Sequence, residues 1–204
     1  MMKKMIDYVE ELRPSLEAIR WEDANVYANF LSQSYYIASR STSFLGMCLF
    51  HSSKFPEFQA RCTEHIAEET GHEKLIMNDL KNLDHKLHAE LPSTMAFYQA
   101  QYFRIVAQDP LSFLGYVFFL ELVGPTYGKY IMDRAAKADK RALTFVRVHT
   151  HADDKHLEMA MGVFKTLPEE HHANMWSNFH MSREGYKRML DAVAGVGLQY
   201  KKTA

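Results

Sequence analysis

Residues 148–156 read Val-His-Thr-His-Ala-Asp-Asp-Lys-His, and within them His149, Asp153 and His156 form a His-x3-Asp-x2-His pattern. At roughly 100° per residue, positions i, i+4 and i+7 of an α-helix fall within about 60° of one another. The spacing therefore predicts a helix with two imidazoles and a carboxylate on one face, a donor set for a first-row transition metal. The plainer alternative is a solvated polar face, since His151 and Asp154 show that the segment is simply rich in polar residues. Phe145, Met159 and Met161 flank the stripe as core-type residues and turn it inward.

The same helical period extends outward in both directions. Helices are predicted over 3–19 with Pro14 as a kink, 21–51, 56–83, 91–108, 110–137, 139–167 and 182–196. Val26, Phe30, Tyr35 and Phe44 carry the apolar spacing of the second. Pro56 suits the first turn of the third, and Gly124-Pro125 is expected to kink and interrupt the fifth. Pro168-Glu169-Glu170 opens the terminal stretch in which the last helix lies. Sustained apolar/polar alternation bounded by turn signals is missing, so no strand is predicted. The expectation is an all-α bundle of about seven helices, with residues 1–204 as one domain.

Composition excludes several function classes. The 204 residues are 47% hydrophobic and 24% charged, with a net charge of −1, which leaves no electrostatic footprint for nucleic acid or an anionic membrane surface. No apolar run has the length of a signal peptide or a membrane span, so the reading is cytoplasmic, with neither nucleic acid nor membrane as partner. The two cysteines, Cys48 and Cys62, form no Cys-x-x-Cys pair and read as buried thiols. Eleven histidines are many for this length, and their clustering draws attention to two further elements.

Glu69 and His72 form Glu-x-x-His within Glu68-Glu69-Thr70-Gly71-His72, the i, i+3 pairing used in helical bundles that hold two irons or two manganese ions. Alone the motif is weak, because any helix can contain it by chance. Glu68 faces nearly the same way and stays open as the ligand in place of Glu69. His65, two turns before His72, shares the face and is read as a supporting or core residue. The third element is Glu121, the only charge in Gly115-Tyr-Val-Phe-Phe-Leu-Glu-Leu-Val-Gly124. A lone carboxylate there costs several kcal/mol unless it is paired or metal-bound, which makes it the bridging candidate; pairing with a distant Arg or Lys is the alternative. Three carboxylates and three histidines on three helices exceed what one ion with an open position needs and suit two. Two divalent ions would leave an excess of about one positive charge, welcoming an anionic bridge or a substrate carboxylate.

With these elements in order, the sequence resembles the heme-oxygenase-like di-iron oxidases, or iron-containing redox enzymes. The resemblance rests on Glu-Glu-Thr-Gly-His72, Gly-Tyr-Val-Phe-Phe-Leu-Glu121 and His149-x3-Asp153-x2-His156, and covers about residues 60–160. It implies a heme-oxygenase-like bundle of seven helices in which Glu69, His72, Glu121, His149, Asp153 and His156 hold two iron ions, with manganese or a mixed site as the alternative. It further implies O2 activation, an electron donor, and a small, partly apolar substrate of fatty-acid or amino-acid type, in a monomer or homodimer. The carboxylate that some members carry on their second helix is not evident, and Tyr35 and Tyr36 occupy that region.

Heme itself is disfavoured, since no histidine precedes His51 to serve as an axial ligand on the first helix. Two rivals remain: a non-catalytic metal- or ligand-binding protein on the same fold, and a thiaminase-like hydrolase, which needs an activated cysteine. Phe97, Tyr98, Tyr102, Phe103, Phe113, Tyr116, Phe118 and Phe119 crowd the fourth and fifth helices. They read first as core packing and, alternatively, as walls of an apolar pocket.

Overall fold

Asp23 opens the first long helix by accepting hydrogen bonds from the amides of Asn25 and Val26 at 3.0 and 3.3 Å, as an N-cap does. In the computed structural model, which describes the backbone of residues 1–150 and 154–199 and the side chains of 1–150 and 157–195, that helix is α3 (Ala24–His51). Two short helices precede it, α1 (Met2–Glu10) and α2 (Arg13–Glu17). The single helix expected over 3–19 is therefore two, because Pro14 starts a new first turn rather than kinking an old one.

The helix expected over 56–83 also divides, into α4 (Pro56–Glu69) and α5 (His72–Asn82). Gly71 stands between them at φ 97°, a left-handed conformation that glycine adopts without a Cβ penalty. The Thr70 hydroxyl takes the carbonyl of Ile66 at 2.6 Å, satisfying an acceptor at the end of α4. Glu69 and His72 consequently lie on two helices, and their proximity does not come from an i, i+3 register.

After α6 (Pro92–Phe103), a π-helical turn (Arg104–Gln108) and a 3-10 turn (Pro110–Ser112), the chain enters α7 (Phe113–Asp139). This helix passes unbroken through Gly124-Pro125, contrary to the expected interruption. The Thr126 hydroxyl takes the Leu122 carbonyl at 2.6 Å beside the proline. The segment Pro110–Asp139 is long and apolar enough to cross a membrane by length and composition, but 72% of its apolar 18-residue stretch is buried in the bundle, as a central helix must be.

The helix expected over 139–167 is described as α8 (Thr144–Thr150) and α9 (Asp154–Thr166). The terminal stretch after Pro168, with its last helix expected over 182–196, is the single longer helix α10 (Glu169–Gln199), with Glu169 and Glu170 at its positive end. Asp109 secures its start, accepting from His171 Nδ1 at 2.9 Å and Asn174 Nδ2 at 3.0 Å. Among the described residues there is no strand.

The long helices α3, α7 and α10 build the core, with α4 and α5 against α3, and α8 against α7. Trp21, Tyr27, Phe44, Phe113, Phe118, Phe119 and Phe179 are fully buried. The aromatics of α6 and α7 are thus mostly packing, as read first, although Phe113 and Tyr116 also face a cavity.

Candidate metal centre

Four of the six candidate ligands meet between α4, α5, α7 and α8. His65 and Glu69 are one turn apart on α4, and Glu121 faces them from the middle of α7. His65 Nε2 lies 3.3 Å from Glu121 Oε1 and 3.7 Å from Glu69 Oε1. His72, at the start of α5, places Nδ1 3.5 Å from Glu69 Oε1. The His149 ring on α8 stands edge-on to His72, with centroids 4.9 Å apart. These donors form two triads, His65–Glu69–Glu121 and Glu69–His72–His149, with the ligand atoms of each within 4.8 Å of one another. Asp153 lies outside the described residues, as does the side chain of His156, so the one-face pattern that opened the sequence reading rests here on His149 alone.

Glu69, not Glu121, is the member common to both triads. Glu68 is in neither triad and accepts a 2.9 Å hydrogen bond from the buried Arg61 guanidinium. His65, read from the sequence as a supporting residue, is the donor that the sequence reading left out of the ligand set. Its signal was the i, i+4 relation to Glu69.

Burial and charge pull these groups in opposite directions. Burial disfavours charge on His65, yet hydrogen bonds to Glu121 and Glu69 raise it to about 9. Glu69 resists the same burial and is held well below the usual carboxylate range by His65 and His72. His72 is raised, chiefly by Glu69. His149 is lowered by burial and stays neutral. Its Nδ1–H donates to the Phe145 carbonyl at 2.9 Å, so the lone pair is left on Nε2. A backbone acceptor on one imidazole nitrogen is how proteins orient the other toward a metal.

Two observations fit the donor set to a metal. Buried His72 Nδ1 has no true hydrogen-bond partner; its 3.5 Å approach to Glu69 is a charge contact without hydrogen-bond alignment. Imidazole nitrogens alternating with carboxylates also suit iron or manganese, the first-row ions that take mixed N/O sites.

Several backbone features bring α8 to this place. A Cβ on Gly124 would lie 1.9 Å from the His149 carbonyl oxygen, and one on Gly128 would lie 1.8 Å from Thr150 Oγ1. The two glycines of α7 therefore let α8 rest directly on the helix. Asp79 of α5, fully buried, accepts from the Phe145 amide at 2.8 Å and caps α8 from a neighbouring helix. The Tyr27 hydroxyl donates to the Ala142 carbonyl at 2.8 Å just upstream.

A cavity of about 130 Å³ opens beside the triads. His65, Glu69, Glu121 and His149 stand on its wall, and the rest is largely apolar, including Phe30, Ile37, Val117, Leu120 and Ile131. The α3 wall carries Phe30, Ser34, Ile37, Ala38, Ser41 and Leu45, and no carboxylate. Cys48 and Cys62 are buried free thiols, the Cys48 thiol donates to the Pro110 carbonyl at 3.7 Å, and neither is on the wall described.

Comparison with known proteins gives three results. The sequence profile described as iron-containing redox enzyme matches residues 28–191. No curated protein sequence matches the chain. Several solved structures share the fold. One is a domain of unknown function with a heme oxygenase-like fold from Shewanella denitrificans, with a TM-score of 0.80 at 19% identity, covering 100% of this chain and 93% of that one. A TenA homolog from Pseudomonas syringae pv. tomato has a TM-score of 0.75 at 10% identity, covering 94% and 91%. A CADD-like protein of unknown function from Nostoc punctiforme has a TM-score of 0.72 at 13% identity, covering 96% and 90%. At these identities the likeness is one of fold.

Proposed function

The chain belongs to the iron-containing redox enzymes on a heme-oxygenase-like fold, and from that premise we propose that it is a non-heme di-iron oxidase or oxygenase acting on a small, partly apolar organic molecule. The observation that carries this reading is the pair of triads sharing Glu69 on the wall of an apolar cavity. Each triad would supply donors to one ion, with Glu69 common to both, and Asp153 and His156 would add to the set. Bound irons would supply the electron transfer to O2 that no side chain can perform. That chemistry would draw its electrons from an external donor.

The residues of the chain do the remaining work. His149, neutral and steered by the Phe145 carbonyl, presents Nε2. Glu69 and Glu121 offset the charge of the ions, and metal binding displaces the proton that His65 otherwise holds between them. Phe30, Ile37, Val117 and Leu120 exclude water and hold the apolar part of the substrate beside the site. A thiaminase-like hydrolase would need its nucleophile at the substrate, and the two buried thiols stand away from the cavity wall described.

Metal analysis of protein grown with iron tests the reading. About two irons per chain are expected, and His149→Ala is expected to lose about half of them or more. An iron-free wild-type protein sinks the proposal, and full loading of His149→Ala sinks the ligand assignment.

A further inference from the structure

The outer side of α6 is built like an inner one. From Pro92 to Phe103 the helix holds no charged residue. Its inner side buries Thr94, Phe97, Tyr98 and Gln101 against α3 and α10. The other side meets water with Met95, Gln99 and Phe103, each one helical turn from the next, and then with Val106 in the π-helical turn. Phe103 is 62% exposed, Val106 55% and Met95 38%. The α3 helix runs alongside, with Phe44 4.8 Å from Tyr102 and Cys48 Sγ 3.7 Å from the Pro110 carbonyl oxygen. Phe50, two residues beyond Cys48, therefore stands at the same end, and it is 80% exposed. These four are most of the large apolar side chains left exposed among the described residues. A solvent-facing helix side normally carries charge, and a large contiguous apolar patch marks an interaction surface.

Three features make a second copy of the chain the partner that fits. The face is neutral, so two copies meet without like-charge repulsion. It is also its own complement. In an antiparallel pair centred on Gln99, Met95 lies four residues before the centre and Phe103 four after it, so each Met95 meets the partner's Phe103 in a favourable sulfur–aromatic contact. The Gln99 amide has both donors and an acceptor and can pair with its own copy, while Ala96 and Ala100 beside it let the helices approach. Finally, the area suffices. Two phenylalanines exposed to this degree, with Val106 and Met95, offer about 400 Å² of apolar surface. That is close to the apolar share of a standard interface of about 800 Å² per partner. A lipid surface would call for cations around such a face; α6 has none, and Arg104 beside it donates inward to Ser177 Oγ at 3.2 Å.

We propose that the outer face of α6 is the two-fold interface of a homodimer, with Gln99 at the axis and Met95 of each copy against the partner's Phe103. The inference is independent of the metal reading. On the inner side of α6, Phe97 packs on Tyr116 and Tyr186 of the cavity wall at 5.3 and 5.8 Å, so the interface lies behind that wall.

Sedimentation equilibrium of the full chain at about 50 μM is expected to return the mass of a dimer. Phe103→Glu sets a carboxylate against the partner's Met95 twice per dimer and should weaken association about 30-fold or more. Because the side chain is exposed, the variant should keep the helical content of wild type. Gln99→Cys should form a disulfide-linked dimer on air oxidation, since residues on a two-fold axis bring their Cβ atoms together. Wild type, whose two cysteines are buried, should stay unlinked. A monomeric wild type overturns the proposal, and its co-sedimentation with phosphatidylcholine–phosphatidylglycerol vesicles would assign the face to lipid instead. A dimer that Phe103→Glu leaves intact, or a Gln99→Cys dimer that stays unlinked, overturns the assignment of this face. If Phe103→Glu unfolds, the Gln99→Cys link alone decides. Iron content bears on none of these outcomes, so the di-iron reading stands or falls separately.

Discussion

The two triads share Glu69 but are built in different ways. His65, Glu69 and Glu121 come from the interiors and ends of regular helices, α4 and α7, so the 3.6-residue period alone sets two of them side by side. His72 and His149 reach Glu69 only through exceptions to regular structure. Gly71 divides two helices at φ 97°, and α8 is seated on two glycines and capped by a residue of α5. The first triad is thus a property of helices, the second a property of junctions. Each can be broken without the other.

Glu69→Gln attacks what the triads have in common and should have the largest effect. It keeps the shape of the side chain, removes the bridging charge and leaves His65 and His72 without their shared partner. Iron content should fall from about two per chain to near zero. A variant that retains one iron would show that the triads do not depend on the shared carboxylate.

Gly124→Ala separates the triads. The added methyl group would meet the His149 carbonyl oxygen at 1.9 Å; both sides of that contact are backbone, so no rotamer change relieves it. Moving α8 away should destabilise the protein by about 3 kcal/mol, at the upper end of overpacking effects, or roughly 6–12 °C in Tm for a chain of this size. The His149 triad should lose its ion while His65, Glu69 and Glu121 keep theirs. Gly71→Ala acts on the same triad by another route. Nothing lies within 4 Å of its added Cβ, so the effect is backbone strain of about 1–2 kcal/mol. It should be visible as a smaller Tm decrease and weaker, but not abolished, binding of the second iron.

This division also explains what was legible in the sequence. Helical class, the apolar helix around Glu121 and the choice of Glu69, His72, Glu121 and His149 as candidates follow from residue types and spacing, which report the period directly. The junctions do not. Glu-x-x-His was read as one helical turn, whereas Gly71 places the two residues on separate helices, and the near-adjacency survives for a different physical reason. Gly124 read only as part of an expected kink, yet its use, with Gly128, is the close approach of another helix, a long-range contact that local pattern cannot show. His65 was placed on the right face but given a lesser role, because only the tertiary position of Glu121, 56 residues on, reveals its partner.

The smallest effect comes from Asp79, whose carboxylate caps α8 from α5. Burial is the largest influence on this group and raises it above its ordinary 3.8, against the opposing hydrogen bonds from Phe145 and Thr144. A raised carboxylate weakens the folded state once it ionises. The cost is absent below the ordinary value and fully present once pH has passed the raised one. Asp79→Asn keeps an acceptor for the Phe145 amide and removes the charge, so at pH 7 it should melt at or slightly above wild type. That margin should close as pH falls toward 3.8, where the native carboxyl is already neutral. Asp79→Ala removes the acceptor as well and should lose about 1 kcal/mol, together with some occupancy at His149. If Asn proves as damaging as Ala, the cap works through its charge at the α8 N-terminus. The second triad would then be held by electrostatics as well as by the shape of its junctions.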